Sequence, residues 1–301
     1  MISFLNSQQA AFLEDLNKIQ LRAERAQRQL STGLRINTIS DHPDQIGVLL
    51  QSRAELAATV QTKANLSRTK TEVDAAENSV QNAIKAVERV RVLGAQGLTG
   101  TQSASSRTVI AGEVEAVFRQ LVNIANAAID GRYIFAGSAD QAPPYAVDLT
   151  TSSGATPYAG GTATRQISDS SGVRMSVAHT GLAIFDSATP SRNAFAAVND
   201  LRRALLANDE TAIQSAEASL GTALEHMNEE LAYYGSVQNQ VASASSAADK
   251  KLLSLQTQIA DTEGADLAAS ILELQDANTH RQAALQAKAQ EDRRTVFDFI
   301  A

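Results

Sequence analysis

Leu5, Phe12, Ile19 and Ala26 recur every seven residues, and Gln9, Leu16, Ala23 and Leu30 interleave with them at steps of three and four. That alternation is a heptad seam and predicts an amphipathic helix from about Phe4 to Thr32. Gly33 follows the last periodic residue, where a helix commonly ends in a left-handed residue, and Leu34 sits where a capping contact belongs. Ser40-Asp41-His42-Pro43 then offers cap-type side chains and a proline suited to a first helical turn. The stretch 30–47 therefore reads as stop, link, start.

A second helix is predicted from about Asp44 to Gly94, with no proline and only Gly47 as internal glycine. Val73, Val80 and Val87 alternate with Ala76, Ala83 and Val90 along its stripe. A helix of that length reaches roughly 75 Å, longer than a compact domain of this size is wide, so a rod is expected. "GAQGLTG" and "TQSASSR" read as a turn. A third helix, with Ile110, Val114, Val117, Leu121, Ile124 and Ala128 as its stripe, should return antiparallel and end at Asp130-Gly131.

From Arg132 to about Ser191 the helical period is lost among Pro143, Pro144, Pro157, Pro190 and several glycines. "RYIFAG" is a short strand candidate. "VRMSV" alternates Val173, Met175 and Val177 with Arg174 and Ser176, a half-buried strand. Helices resume at Arg192, with Phe195, Val198, Leu201 and Leu205 as one stripe. A long helix is expected from about Glu210 to Thr262, weakest at Tyr234-Gly235, and a last one from Asp266 to about Thr295. Leu267, Ile271, Leu274, Asn278 and Leu285 mark its seam, Asn278 being a polar position that can fix register.

The fold class is thus mostly α: an elongated antiparallel helical rod or coiled-coil bundle with both termini at one end and a small β-rich inserted domain. The expected divisions are 1–43 (first helix and link), 44–131 (long helical hairpin), 132–191 (β-rich insertion), 192–262 (returning helices) and 263–301 (last helix).

Composition sharpens this picture. Aromatics are only 4% of the 301 residues and Trp is absent, while Ala is abundant. Such a chain builds narrow seams rather than a thick core. The net charge of −7, with no basic run longer than a pair, argues against nucleic acid as a partner. The absence of Cys rules out disulfides, thiolate metal sites and cysteine nucleophiles. The N-terminal stretch lacks the basic and apolar regions of a cleaved secretory signal, and no window reaches 18 apolar residues, so no membrane span is expected.

Candidate chemistry is sparse. His42, His179, His226 and His280 are not at metal-ligand spacing. No G-x-S-x-G elbow occurs, and "GAQGLTG" follows a helix and lacks the P-loop lysine. Neither a catalytic set, a cofactor site nor a metal site is assigned. The informative features are the two terminal helices. They pair with each other, or they pair and also pack against other copies of the chain, because a slender bundle has little interior to cover them.

"LSTGLRINTISDHPDQIG" resembles the bacterial flagellin signature, in which a first helix ends in Leu-Ser-Ser-Gly-Leu-Arg-Ile-Asn and an Asp-Asp-Pro-Ala-Gly turn opens the next. Leu30, Ser31, Gly33, Leu34, Arg35, Ile36, Asn37, Asp41, Pro43 and Gly47 match; Thr32 and His42 depart. "YGSVQNQV" at 234–241 and the final helix are similar to the family's C-terminal segments. "DTEGADLA" differs from them by placing Gly264 where a helix former is usual. Within the superfamily, "DGRYIFAGSADQAPPY", "PYAGG…RQI" and the ending "TVFDFIA" resemble the hook–filament junction family, hook-associated protein 3, with flagellin as the alternative.

The resemblance implies a non-enzymatic structural subunit of the flagellum. Such subunits are exported unfolded through a type III apparatus without a cleaved signal and assemble into a helical tube outside the cell. The implied partners are further copies of the chain, a hook-associated protein on the hook side, flagellin on the filament side and an export chaperone. No nucleic acid or membrane is implied. The residues expected at subunit interfaces are Leu5, Phe12, Leu16, Ile19, Leu30, Leu34, Arg35, Ile36, Asn37, Leu267, Ile271, Leu274, Asn278 and Leu285. Competing readings are a coiled-coil scaffold or signalling protein that is not secreted, and an enzyme, for which no constellation speaks.

Overall fold

The computed structural model describes residues 2–38, 40–100, 102–170 and 172–297, with side chains described between 9 and 290. Seven helices carry most of it: α1 (Ile2–Thr32), α2 (Pro43–Gly97), α3 (Ala104–Ala125), a single-turn α4 (Gly181–Ile184), α5 (Ala194–Ala207), α6 (Glu210–Glu263) and α7 (Leu267–Phe297). Two small antiparallel pairs lie between α3 and α4: β1 (Ala128–Ile129) with β2 (Arg132–Tyr133), and β3 (Gln166–Ser168) with β4 (Arg174–Ser176). The chain forms two compact units. One is made from the chain ends, up to Ala58 and from Leu252 onward, and the other is Thr59–Lys251.

In the Thr59–Lys251 unit the helices form a bundle whose seams follow the sequence periodicity. Val73, Ala76, Val80, Ala83, Val87 and Val90 of α2 are all buried. So are Phe195, Val198, Leu201 and Leu205 of α5. The start of α3 lies by the end of α2, and Glu113 pairs with Arg89 farther back, so the two helices are antiparallel. Arg107, only 4% exposed, fastens this end of the bundle. Its guanidinium donates to Gly97 O, Asn208 Oδ1 and Glu210 Oε1, tying α2, α3 and the α5–α6 turn together. The helix α2 runs to Gly97, three residues past the expected stop, because Gly94 and Gly97 serve packing rather than a turn. A Cβ on Gly97 would lie 2.5 Å from the Leu205 side chain, and one on Gly94 would lie 1.9 Å from Glu217.

Several local expectations are corrected. The helix α3 ends at Ala125 rather than at Asp130-Gly131. Asn126 leaves the helix because its amide serves Tyr145, donating to the Tyr145 carbonyl at 2.8 Å and accepting its N–H at 3.1 Å. Asp130 and Gly131 then take left-handed angles (φ 51° and 77°) and form the two-residue turn between β1 and β2. Of "RYIFAG" only Arg132 and Tyr133 are strand; Phe135 is wholly buried. In β4 and its flanks Val177 is buried and Met175 half-buried, but Val173 is 60% exposed, since it lies outside the strand, where its carbonyl accepts the Asp169 N–H at the turn. The expected weak point at Tyr234-Gly235 is absent, for α6 passes straight through it. Tyr234 is 1% exposed there, and its hydroxyl accepts the His179 N–H.

The few aromatic residues are concentrated where the insertion meets the helices. Phe195 of α5 lies edge-on to Phe118 (5.9 Å between centroids) and to Tyr145 (5.0 Å), and Phe185 stacks on it. Phe135 meets Phe185 edge-on at 5.2 Å. Edge-to-face pairs of this kind add to the area they bury.

Phe195→Ala removes the ring shared by three of these contacts. It should destabilise the Thr59–Lys251 unit by about 3–5 kcal/mol, read as a lowered urea midpoint of the folded chain.

Candidate assembly site

The unit built from the two chain ends contains the signature segment, and Gly33, Leu34, Arg35, Ile36, Asn37 and Asp41 each have a structural task there. Gly33 ends α1 in the left-handed region (φ 69°), its N–H bonded to Gln29 O at 2.8 Å. The chain then runs beside the α6–α7 junction as a short antiparallel bridge, Leu34 opposite Gly264. Arg35 N–H donates to Glu263 O at 2.6 Å, and Ala265 N–H donates to Gly33 O at 3.0 Å. The Arg35 guanidinium reaches Thr262 O and Gln45 Oε1, both at 2.7 Å. One side chain thus clamps the end of α6 to the start of α2. Arg53 of α2 adds an ion pair to Glu263.

Ile36 is buried with Leu49 and Ile259, with Ile46 and Leu56 packed around them. Asn37 Nδ2 donates back to Leu34 O at 2.7 Å. Asp41 closes the link. Its carboxylate accepts the Asn37 and Thr38 N–H groups at 3.0 and 2.8 Å. The expected forward cap on α2 is therefore a backward one, and α2 begins on the His42 carbonyl, which accepts from Gln45 and Ile46. Burial by itself pushes the Asp41 carboxyl up. The hydrogen bonds from Thr38 and Asn37, with Arg25 nearby, outweigh burial and hold it below the usual carboxylate range.

Gly264, the departure from the family pattern, proves necessary where it stands. A Cβ there would lie 2.5 Å from Ala260 O. It lets α6 stop and the chain turn into α7, whose first N–H groups are capped by Asp266 (Ala269 N–H to Oδ1, 3.0 Å).

From this clasp α1 and α7 run side by side, antiparallel. Gln29 accepts the Ser270 hydroxyl at 3.1 Å at the near end. On α1 the seam lies as the heptads indicate: Ala26 is buried and Phe12, Leu16, Ile19, Ala23 and Leu30 are half-buried. Leu5 falls outside the residues whose side chains are described. On α7 the seam is rotated from expectation. Ser270 and Ala277 are buried and Leu274, Asn278 and Ala284 half-buried, whereas Leu267, Ile271 and Leu285 are 49, 47 and 50% exposed. The spacing of seven through Ser270, Ala277 and Ala284 was the missed signal. Small side chains allow close approach of the helices, and the larger ones stand to the side.

The pair therefore leaves large apolar groups open. Besides those three, Leu272 is 61% exposed and Leu13 and Leu21 of α1 are 62 and 54% exposed. Among the described residues no group of three or more His, Cys, Asp or Glu is placed to hold a metal ion. The histidines of the other unit have local roles: His179 meets Glu230 at 2.6 Å and stacks on Tyr233, and His226 meets Ala183 O at 2.7 Å. No helix among the described residues is long and apolar enough to cross a membrane.

Residues 2–140 match the bacterial flagellin N-terminal helical region, and residues 218–300 match the bacterial flagellin C-terminal helical region. Flagellar hook-associated protein 3 of Salmonella typhimurium is 31% identical over 67% of this chain and 61% of its own length. Its namesake from Escherichia coli is 29% identical over 54% of this chain and 49% of its own. The chain thus aligns with about half to three fifths of these relatives. A flagellar hook-associated protein from Vibrio parahaemolyticus shares the fold. It superposes with a TM-score of 0.66 at 17% identity, over 74% of this chain and all of that one.

Arg35→Ala should cost the chain-end unit about 1–3 kcal/mol locally. The expected readout is faster amide exchange at 33–36 and 262–265, with Phe118 and Phe195 peptides unchanged. Asp41 adds a pH dependence. Its carboxyl is lowered on folding, so its contribution is present above the unfolded value of about 3.9 and disappears as pH falls through the lower folded value. Exchange at 37–41 should quicken on acidification through that window in the wild type, and be fast and pH-independent there, after correction for intrinsic rates, in Asp41→Ala.

Proposed function

We propose that this chain, which belongs to the flagellin superfamily, is the structural subunit of the hook–filament junction of a bacterial flagellum. It works without catalysis. Copies form a layer that accepts a hook-associated protein on the hook side and presents a template for flagellin on the filament side. The chain reaches that place outside the cell by export as an unfolded polypeptide, without a cleaved signal and with the help of an export chaperone.

The observation that carries this reading is the open apolar edge of the α1–α7 pair, formed by Leu13, Leu21, Leu267, Ile271, Leu272 and Leu285. A narrow two-helix seam cannot cover these groups, and water contact costs roughly 25 cal/mol per Å² of apolar surface left unburied. A lattice of like subunits supplies the missing neighbours, and association then carries part of the folding free energy. We assign residues 1–43 and 263–301 to this assembly core. The interface residues comprise Leu5, Phe12, Leu16, Ile19, Leu30, Leu34, Arg35, Ile36, Asn37, Leu267, Ile271, Leu274, Asn278 and Leu285. The exposed members face neighbours directly, and the clasp residues hold the two helices in register.

Junction rather than filament is favoured by the names of the Salmonella and Escherichia relatives. Flagellin is the second reading, and growth on seeds separates the two. A junction subunit adds a limited layer on hook-side particles, whereas a flagellin extends them into long filaments. Deleting the gene should leave hooks without filaments and flagellin released into the medium; electron micrographs showing normal filaments would reject the proposal. Leu16→Asp and Leu274→Asp should each abolish incorporation at least about tenfold while leaving the melting of the Thr59–Lys251 unit in place.

A further inference from the structure

Along α2 the buried positions keep one three-and-four register, but their chemistry changes partway. From Val73 to Leu93 the seam is apolar, and Val73, Ala76, Val80, Ala83, Val87, Val90 and Leu93 are each at most 4% exposed. The same register continued toward the start of α2 meets Thr69 (5%), Leu66 (0%), Thr62 and Thr59 (3%). Three of those four positions are threonines. On α6 the facing register likewise thins. Tyr234, Val237 and Val241 give way to Ala244 and Ala248, and then to a half-buried Lys251.

Lys63 and Asp249 pair at 2.5 Å, but both side chains are about half exposed, and ion pairs in that setting contribute little. By contrast, higher up, Gln238 of α6 bonds both Asp74 and Glu77 of α2. Thr59 and Lys251 are also the first and last residues of their compact unit. The helices themselves are not interrupted. The helix α2 has no Pro or Gly between Gly47 and Gly94, and α6 has none between Gly235 and Gly264.

We propose that residues 59–69 of α2 and 241–251 of α6 form a compliant splice, a segment where the helix pair parts and re-closes far more readily than along 73–93. Threonine is close to valine in volume, but it replaces a buried methyl with a hydroxyl, and alanine opposite it supplies little apolar area. The hydrophobic pull between the helices is therefore weakest here, while hydrogen bonding within each helix continues. The device depends on seam chemistry alone. It is present in the free chain whatever that chain assembles with, so its failure and the failure of the junction reading are distinguishable.

Amide exchange on the full-length chain tests it. A helical segment of this length without its partner frays, so parting of the pair appears as exchange. Peptides from 59–69 and 241–251 should exchange at least about tenfold faster than peptides from 73–93, under conditions where local opening dominates. Thr59→Val, Thr62→Leu and Thr69→Val combined should slow exchange in both segments several-fold and leave 73–93 unchanged. The single Thr59→Val should do so in part. Introducing a soft layer by Val80→Thr should raise exchange around residue 80. Uniform protection along the wild-type pair would overturn the proposal, and so would a gradient that persists unchanged in the combined variant.

Discussion

The antiparallel contact of residues 33–36 with 262–265 is the constraint on which the chain-end unit depends. Neither α1 nor α7 has a wide apolar face, and a helix in isolation gains little from propensity alone. What brings them together is a pair of backbone bonds, Arg35 to Glu263 and Ala265 to Gly33, with the Arg35 guanidinium laid across the end of α6. These bonds join points more than 200 residues apart in sequence. Once they are made, the two terminal helices start from a common origin and need only a thin seam of small residues to continue side by side. The clasp converts a long-range closure problem into a local one.

The same economy shapes the rest of the molecule. With few aromatic rings and no tryptophan, the chain cannot fill a broad interior, so it gathers five of its thirteen Phe and Tyr rings in one place. Phe118, Phe135, Tyr145, Phe185 and Phe195 gather where the irregular segment meets α3 and α5. Elsewhere Val, Ala and Leu suffice because helix pairs approach closely. Charged groups do their strongest work at ends and joins, as Arg107 does at the top of the bundle and Arg35 at the link.

How much of this was legible in the sequence follows from which interactions are local. The three-and-four spacing located α1, α2 and α5, and Gly33 after the last seam residue of α1 marked the link, because period and chain stops are written in adjacent residues. The rotation of α7 was not legible in the same way. Leu267, Ile271 and Leu285 look like a seam by size, but α1 selects the ridge of Ser270 and Ala277, a choice made by the partner rather than by hydrophobicity. The end of α3 was missed for a related reason: Asn126 is pulled out of the helix by Tyr145, nineteen positions away. Gly264 looked like a blemish in a family pattern until the nearness of Ala260 O gave it a purpose.

Asn126 also has a bearing on how such chains diversify. By holding both the N–H and the carbonyl of Tyr145, it closes residues 127–144 into a loop whose ends are fixed independently of its contents. Lengthening such a loop costs only slowly growing closure entropy, about 0.6 kcal/mol per doubling. Extra residues at the exposed Asp130-Gly131 tip can therefore be accommodated while Phe135 keeps its place in the aromatic cluster and the helical frame keeps its geometry, much as a handle can be lengthened without recasting the vessel.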